Sequence, residues 1–193
     1  LIIGDELMSS ENKSKKKAFL KLFSSDFWFS VPEYQRSYVW QTDNITELVE
    51  DLYYAFQNKP NQEYFLGSLV LKLTEEAEYP EYEVLDGQQR LTTFLMMMAV
   101  LRDLIDSEQS KTTIQETIFQ EENKLRKIPS RSRITYKIRD IVSTFFEDII
   151  ITKSGTLCTD RIYTFISEKA NTSVKNMAKG ILVLKESFQD KNN

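Results

Sequence analysis

Leu85-Asp86-Gly87-Gln88-Gln89-Arg90-Leu91-Thr92-Thr93 is the stretch on which the fold turns. Before it, Tyr82 to Leu85 has the composition of a short strand. After it, Leu91 to Ile105 is apolar almost all round a helix, which places that helix at the centre of a core. A strand that ends in Asp-Gly and passes at once into a helix sets up a definite chemistry. The first turn of a helix carries unpaired backbone N–H groups and a partial positive charge, so it attracts anions. Gly87 lets the backbone turn tightly and lets a ligand approach without meeting a Cβ. Gln88 and Gln89 each donate and accept hydrogen bonds, and Arg90 offers a planar fork of donors matched to phosphate oxygens. Thr92 and Thr93 add hydroxyls to the same turn. Asp86 repels a phosphate, so its natural roles are to hold a metal ion, to orient Arg90 or to accept a proton. The spacing is equally compatible with a plainer arrangement, in which Asp86 caps the helix and Gln88, Gln89 and Arg90 are its solvated first turn.

Working outward, Tyr64 to Leu73 is a run of β-type residues around Gly67, and an acidic turn from Thr74 to Pro80 joins it to Tyr82–Leu85 as a hairpin. Ile45, Leu48, Val49, Leu52 and Phe56 recur at helical spacing, with Thr42 or Asn44 as the expected cap. Phe27 to Val31 reads as a strand stopped by Pro32, and a loop dense in aromatic and polar residues, 32–40, follows it. Residues 11–23 run from Lys13, Lys15, Lys16 and Lys17 into Phe19, Leu20, Leu22 and Phe23, the pattern of a short amphipathic helix. Beyond 105 the pattern is mainly helical. Ile114, Ile118 and Leu125 mark one helix, Val142 to Ile149 a second and Val174 to Phe188 a third, interrupted by the extended stretch Ile134–Ile138. The expected fold is α+β. A small mixed sheet from 27–31, 64–73 and 82–85 packs on helices 42–58 and 91–105, and a helical subdomain starts near 110. This gives a first domain over 1–108 and a helical extension over 109–193. The chain begins at Leu1 rather than Met and is expected to be a piece of something longer, continuing beyond its last residue.

Composition narrows the chemistry. Hydrophobic residues make up 41 % and charged residues 28 % of 193 residues, the balance of an ordinary globular domain. The longest apolar run, Phe94 to Leu101, is too short to span a bilayer, so no membrane partner is expected. A single cysteine, Cys158, precludes an internal disulfide and suits a reducing cytoplasm. The chain has no histidine, which removes Ser-His-Asp and Cys-His catalysis, imidazole zinc sites and an HNH-type nuclease centre. Carboxylates, Arg, Lys, amides, hydroxyls and any bound metal remain.

Three ordered motifs carry a resemblance: Tyr34-Gln35-Arg36-x-Tyr38-x-Trp40, Tyr64-Phe65-Leu66-Gly67-Ser68, and Leu85 through Thr93 with its Asp-Gly-Gln-Gln-Arg core. Together they resemble the N-terminal domain of GmrSD-type modification-dependent restriction enzymes, which is related to the ParB/sulfiredoxin fold. The resemblance covers roughly residues 18–105, and Ser130 through Phe146 resembles the family's helical continuation more weakly. It implies a ParB/sulfiredoxin-like sheet and a nucleoside triphosphate with Mg2+ as cofactor. The implied site has Asp86 and Arg90 in catalysis, Asp86 at the metal, and Gln35, Arg36, Gly87, Gln88, Gln89, Arg90 and Thr92 around the phosphates. The expected function is nucleotide binding and hydrolysis that regulates a DNA-restriction activity. It also implies an HNH-type nuclease as a C-terminal or separate partner, since full-length members usually carry one and this chain has no histidine.

A second feature is the basic run Lys124, Arg126, Lys127, Arg131, Arg133, Lys137 and Arg139 in a chain of net charge −4. Arg126, Lys127, Arg131 and Arg133 are the candidates for contact with a DNA backbone, against a solvated connector balanced by Glu121 and Glu122. Two other functions compete with the favoured one: a non-catalytic module recognising DNA or a modified base, and a ParB-like nuclease. The sequence is also compatible with a homodimer.

Overall fold

The computed structural model describes residues 2–5, 13–74, 80–137, 140–167 and 171–190. The elements in chain order are β1 (Ile2–Asp5), β2 (Lys13–Lys16), α1 (Phe19–Leu22), β3 (Trp28–Val31), α2 (Thr42–Asn58), β4 (Ser68–Leu73), β5 (Glu81–Asp86), α3 (Gln88–Leu104) and α4 (Glu108–Ile118). They continue with β6 (Phe119–Gln120), β7 (Arg131–Ser132), β8 (Ile134–Tyr136), α5 (Asp140–Phe145), α6 (Thr159–Ser167) and α7 (Thr172–Asp190). A π-helical turn, Phe146–Ile151, extends α5.

The fold is α+β, as expected. Its main sheet is mixed and six-stranded, in the order β2-β1-β4-β5-β3-β8. The expected hairpin is β4 against β5, antiparallel, with a register shift between Val70 and Leu71. β5 runs parallel to β3, with Phe29 opposite Tyr82. Three expectations are corrected. The strand around Gly67 begins only at Ser68, because Gly67 itself holds φ +109, a backbone state outside a strand's range. The lysine-rich lead is not one helix. Lys13–Lys16 pairs antiparallel with Ile2–Asp5, and only Phe19–Leu22 is helical. Leu125 lies in a short 3₁₀ turn, fully exposed, so it is not part of α4.

The extended stretch near 134 has a larger role than its length foretells. β8 adds to the sheet parallel to β3, pairing Phe29 with Ile134 and Val31 with Tyr136. One continuous apolar core runs from Leu22 through α3 to Leu184, so the segments on either side of residue 108 share their packing. At its centre Leu91, Phe94, Leu95, Met96, Ala99 and Val100 of α3 are each at most 2 % exposed. Each fully buried large apolar side chain contributes about 1.5–3 kcal/mol. α3 thus sits against the sheet on one side and the α7 helix on another. Gly180 of α7 faces Ile45 and Met96 so closely that a Cβ there would stand 2.6 Å from Ile45 Cδ1.

The far end of α3 is held by charge. Arg102, 1 % exposed, donates to the Ile150, Ile151 and Thr152 carbonyls at 2.8, 3.2 and 2.9 Å and to Gln115 Oε1 at 2.6 Å. Those carbonyls stand at the end of the π-helical turn, where the helical ladder runs out. Asp103 pairs with Arg102 at 2.7 Å and accepts from Ser154 N, Thr156 N and the Thr156 hydroxyl. Burial pushes the Asp103 carboxyl up, but Arg102 and these donors outweigh it and leave its pKa below the usual value.

Arg102→Ala strips the charged partner from the buried Asp103 carboxylate and one donor from each of three carbonyls, and should destabilise the fold by about 3–5 kcal/mol, seen as a large fall in Tm. Because the folded pKa of Asp103 is lowered, its contribution is present above the unfolded carboxylate range and is lost as pH falls through the folded value. Thermal melts across acid pH should therefore show a stability loss in the unsubstituted chain that Asp103→Asn lacks.

Candidate functional site

β5 ends at Asp86 and α3 begins at Gln88, with Gly87 between them at φ +87. A Cβ on Gly87 would meet Leu69 Cδ2 at 2.5 Å and the Ser68 carbonyl at 2.8 Å. Glycine is needed here both for its torsion and for the closeness of β4. The turn opens into a cleft of about 330 Å³ lined by Gln35, Arg36, Trp40, Ser68, Asp86, Gly87, Gln88, Gln89 and Arg90. Two segments about fifty residues apart in sequence, the 34–40 loop and the start of α3, thus meet at one opening.

Two guanidinium groups face this cleft. Arg36 is exposed and Arg90 half-buried, and neither has a hydrogen bond or ion pair among the described residues. Arg90 lies flat against Gly67, whose missing Cβ would overlap the guanidinium carbon and nitrogens. Beyond Gly67 stands Tyr64. Partial burial first, and the neighbouring Asp51 carboxylate second, raise the Tyr64 pKa, while Arg90 acts in the opposite sense. Asp86 is exposed at the mouth. Among the described residues no group of three or more carboxylate, histidine or cysteine side chains gathers to hold a metal. Asp86 therefore offers one carboxylate, and Mg2+ commonly takes one or two together with waters and substrate phosphates.

The two glutamines behave differently from free ligand contacts. Gln89 Nε2 donates to the Ser37 carbonyl at 3.1 Å, and Gln89 Oε1 accepts from Val39 N at 2.8 Å and Trp40 N at 3.2 Å. Gln88 Nε2 donates to the Arg36 carbonyl. Gln35 Nε2 donates to the Leu85 carbonyl at 3.0 Å, which ties the loop to β5. Tyr38 is buried and bonds the Thr93 hydroxyl at 2.8 Å.

Thr92 is a correction. It is 1 % exposed and does not line the cleft. Its hydroxyl donates back to the Gln88 carbonyl at 2.7 Å and bonds Tyr136 Oη. Tyr136 arrives from β8, far along the chain, so its approach to α3 had no local signal. Trp40 and Ser68 line the cleft as well.

The basic run is also corrected in part. Arg133 is 3 % exposed, donates to the Glu116 carbonyl at 3.2 Å and to Gln120 Oε1 at 2.7 Å, and lies 6.0 Å from the Trp28 ring centre. Arg131 pairs with Glu81 at 2.9 Å and lies 5.5 Å from the same ring. Both face inward because β7 and β8 bring them over Trp28. Lys127 is already partnered, and the Arg126 side chain and Arg139 lie outside the described residues.

The family model for the N-terminal domain of the GmrSD restriction endonuclease matches residues 13–193. The chain belongs to that family, and its membership ties it to restriction systems. No curated protein matches the chain. Among the described residues no helix is long and apolar enough to cross a membrane.

Gly67→Ala should be doubly unfavourable, from its positive φ and from overlap with Arg90. A stability loss of roughly 1–3 kcal/mol is expected, readable in chemical denaturation. Gly67→Ala, Arg90→Ala should recover part of it by removing the overlap, whereas no recovery would mean that torsion alone is responsible.

Proposed function

We propose that this GmrSD-family domain binds and hydrolyses a nucleoside triphosphate in the cleft at the β5–α3 turn, and that this regulates restriction of foreign DNA by a nuclease partner. The observation that carries the reading is a pair of guanidiniums, Arg36 and Arg90, without a hydrogen bond or ion pair among the described residues, on one cleft at a helix start, where backbone N–H groups lack helical acceptors. An acidic protein that leaves two arginines uncompensated at one opening has built a place for an anion with several oxygens.

The chemistry follows from what each group can do. Arg90 and Arg36 would hold phosphate oxygens from opposite walls, and the backbone at Gly87 and Gln88 would donate to the charge that grows as the terminal phosphoryl leaves. Asp86 would hold a divalent cation or position the attacking water and take its proton. Bound Mg2+ would supply charge neutralisation between phosphate oxygens. Arg131 and Arg133, turned inward, do not serve a DNA backbone on this reading.

Titration of the purified chain with ATP and with GTP, with and without Mg2+, tests the proposal. A charge-assisted hydrogen bond contributes ~1.5–3 kcal/mol, so Arg90→Ala should weaken binding roughly 10- to 100-fold. Arg90→Lys keeps the charge and loses the fork, so it should recover only part. The Tm without nucleotide should move little, because Arg90 makes no ion pair with the described fold. Asp86→Ala should stop phosphate release while leaving Mg2+-free binding. Normal affinity in Arg90→Ala with a large drop in Tm would make Arg90 structural and remove the site.

A further inference from the structure

The loop that brings Arg36 to the cleft has few backbone partners of its own. The segment 36–40 belongs to no helix or strand. Four of its backbone groups meet two side chains. The Arg36 and Ser37 carbonyls accept from the amides of Gln88 and Gln89, and the Val39 and Trp40 N–H groups donate to Gln89 Oε1. Gln89 is 5 % exposed, and both ends of its amide are engaged in these contacts. The hydroxyl of Thr93, one turn on from Gln89, meets the buried Tyr38. The loop is thus strapped to the first turn of α3 by side chains standing where a neighbouring strand would be.

We propose that Gln89, supported by Gln88, is a positioning residue: it reads the loop backbone and so fixes where Arg36 stands over the cleft. This rests on the reading of that cleft as a nucleotide site. The motif then has two parts with different tasks. Asp86, Gly87 and Arg90 would meet the ligand, while the adjacent glutamines, which line the same cleft, spend their amides on the loop that forms its other wall. Arg36 and Arg90 come from distant segments, and the Gln89 amide, with three contacts to the loop backbone, joins Gln88, Gln35 and Tyr38 in setting their separation. An amide is the side chain suited to this work, because it alone offers a donor to Ser37 and an acceptor to Val39 and Trp40 without burying a charge.

The test has two arms. In the first, amide hydrogen exchange is followed in the full chain without nucleotide. Val39 and Trp40 should exchange faster in Gln89→Ala, while Phe94 to Val100 of α3 keep their rates. In the second, ATP and GTP are titrated into Arg36→Ala, Gln89→Ala and the double variant. Each single change should weaken binding by a similar factor, roughly 10-fold or more for loss of one guanidinium contact, and the double variant should be no weaker than Arg36→Ala. Losses that multiply in the double variant, or unchanged exchange at Val39 and Trp40, overturn the proposal. If Gln89→Ala does not fold, Gln89→Glu replaces it. That variant keeps an acceptor for Val39 and Trp40 and loses the donor to Ser37, so it should retain protection at those two amides and bind nucleotide with an intermediate, still non-multiplying loss. If the unsubstituted chain binds neither nucleotide, the nucleotide reading falls, and the exchange arm alone decides whether Gln89 holds the loop.

Discussion

Side-chain amides taking the place of a strand is the constraint on which the site depends. A backbone segment that crosses the start of a helix must find partners for its N–H and C=O groups, since leaving them unpaired and buried costs about 1–3 kcal/mol each. The 36–40 segment meets that demand through Gln88 and Gln89. The demand can be met there only because α3 starts immediately after Gly87, which in turn needs β4 close enough that no Cβ fits. Sheet, turn, helix and loop are therefore fixed in one chain of contacts, and the cleft is what remains between them.

The same helix is secured at its other end and on its flank by different means. Arg102 closes the carbonyl ends of the π-helical turn, and Asp103 gathers the 154–156 segment. Tyr136 reaches α3 from β8 and bonds Thr92, and its ring packs 5.1 Å from Phe146. The helical region after residue 108 therefore touches the first turn of α3 through one strand and one hydroxyl. Polar contacts hold α3 at both ends, and apolar burial holds its middle.

Much of this was legible in the sequence where the signal was local. The change from β-type residues to an apolar helix at Leu85–Leu91 placed the strand, the turn and the central helix, and it gave the hairpin partner of β5. Asp86, Gly87 and Arg90 could be read as one site because they are adjacent, and the motif containing Gln35 and Arg36 could be joined to them by family resemblance. What could not be read was direction and distance. Gln88 and Gln89 have the donors and acceptors of ligand-binding groups, and nothing in their spacing shows that they turn to a loop some fifty residues earlier. Thr92 shares the helix start with Arg90, but two residues on it faces the core. β8 is three residues long, too short for periodicity to speak, and its place beside β3 is set by long-range pairing. Arg131 and Arg133 looked like a solvated basic run because the aromatic ring they cover, Trp28, is a hundred residues away.

The arrangement of arginines carries the last step. In a protein with net charge −4, every cation with a carboxylate or carbonyl to hand is expected to use it. Arg102 has Asp103 and three carbonyls, Arg131 has Glu81, Arg133 has the Glu116 carbonyl and Gln120, and Arg161 has Asp148 at 2.8 Å. Among the arginines whose side chains are described, only Arg36 and Arg90 depart from this, and both stand on the same cleft. Holding two like charges near one opening without a direct ion pair among the described residues is unfavourable in the free protein. On the proposed reading, that disadvantage would turn into affinity when an anion with several oxygens arrives, because the ligand would supply the missing compensation. Asp86 at the mouth does not neutralise either guanidinium directly, which leaves it available for a cation accompanying the anion. On that reading, this charge pattern would suit a polyanion bound together with a metal ion.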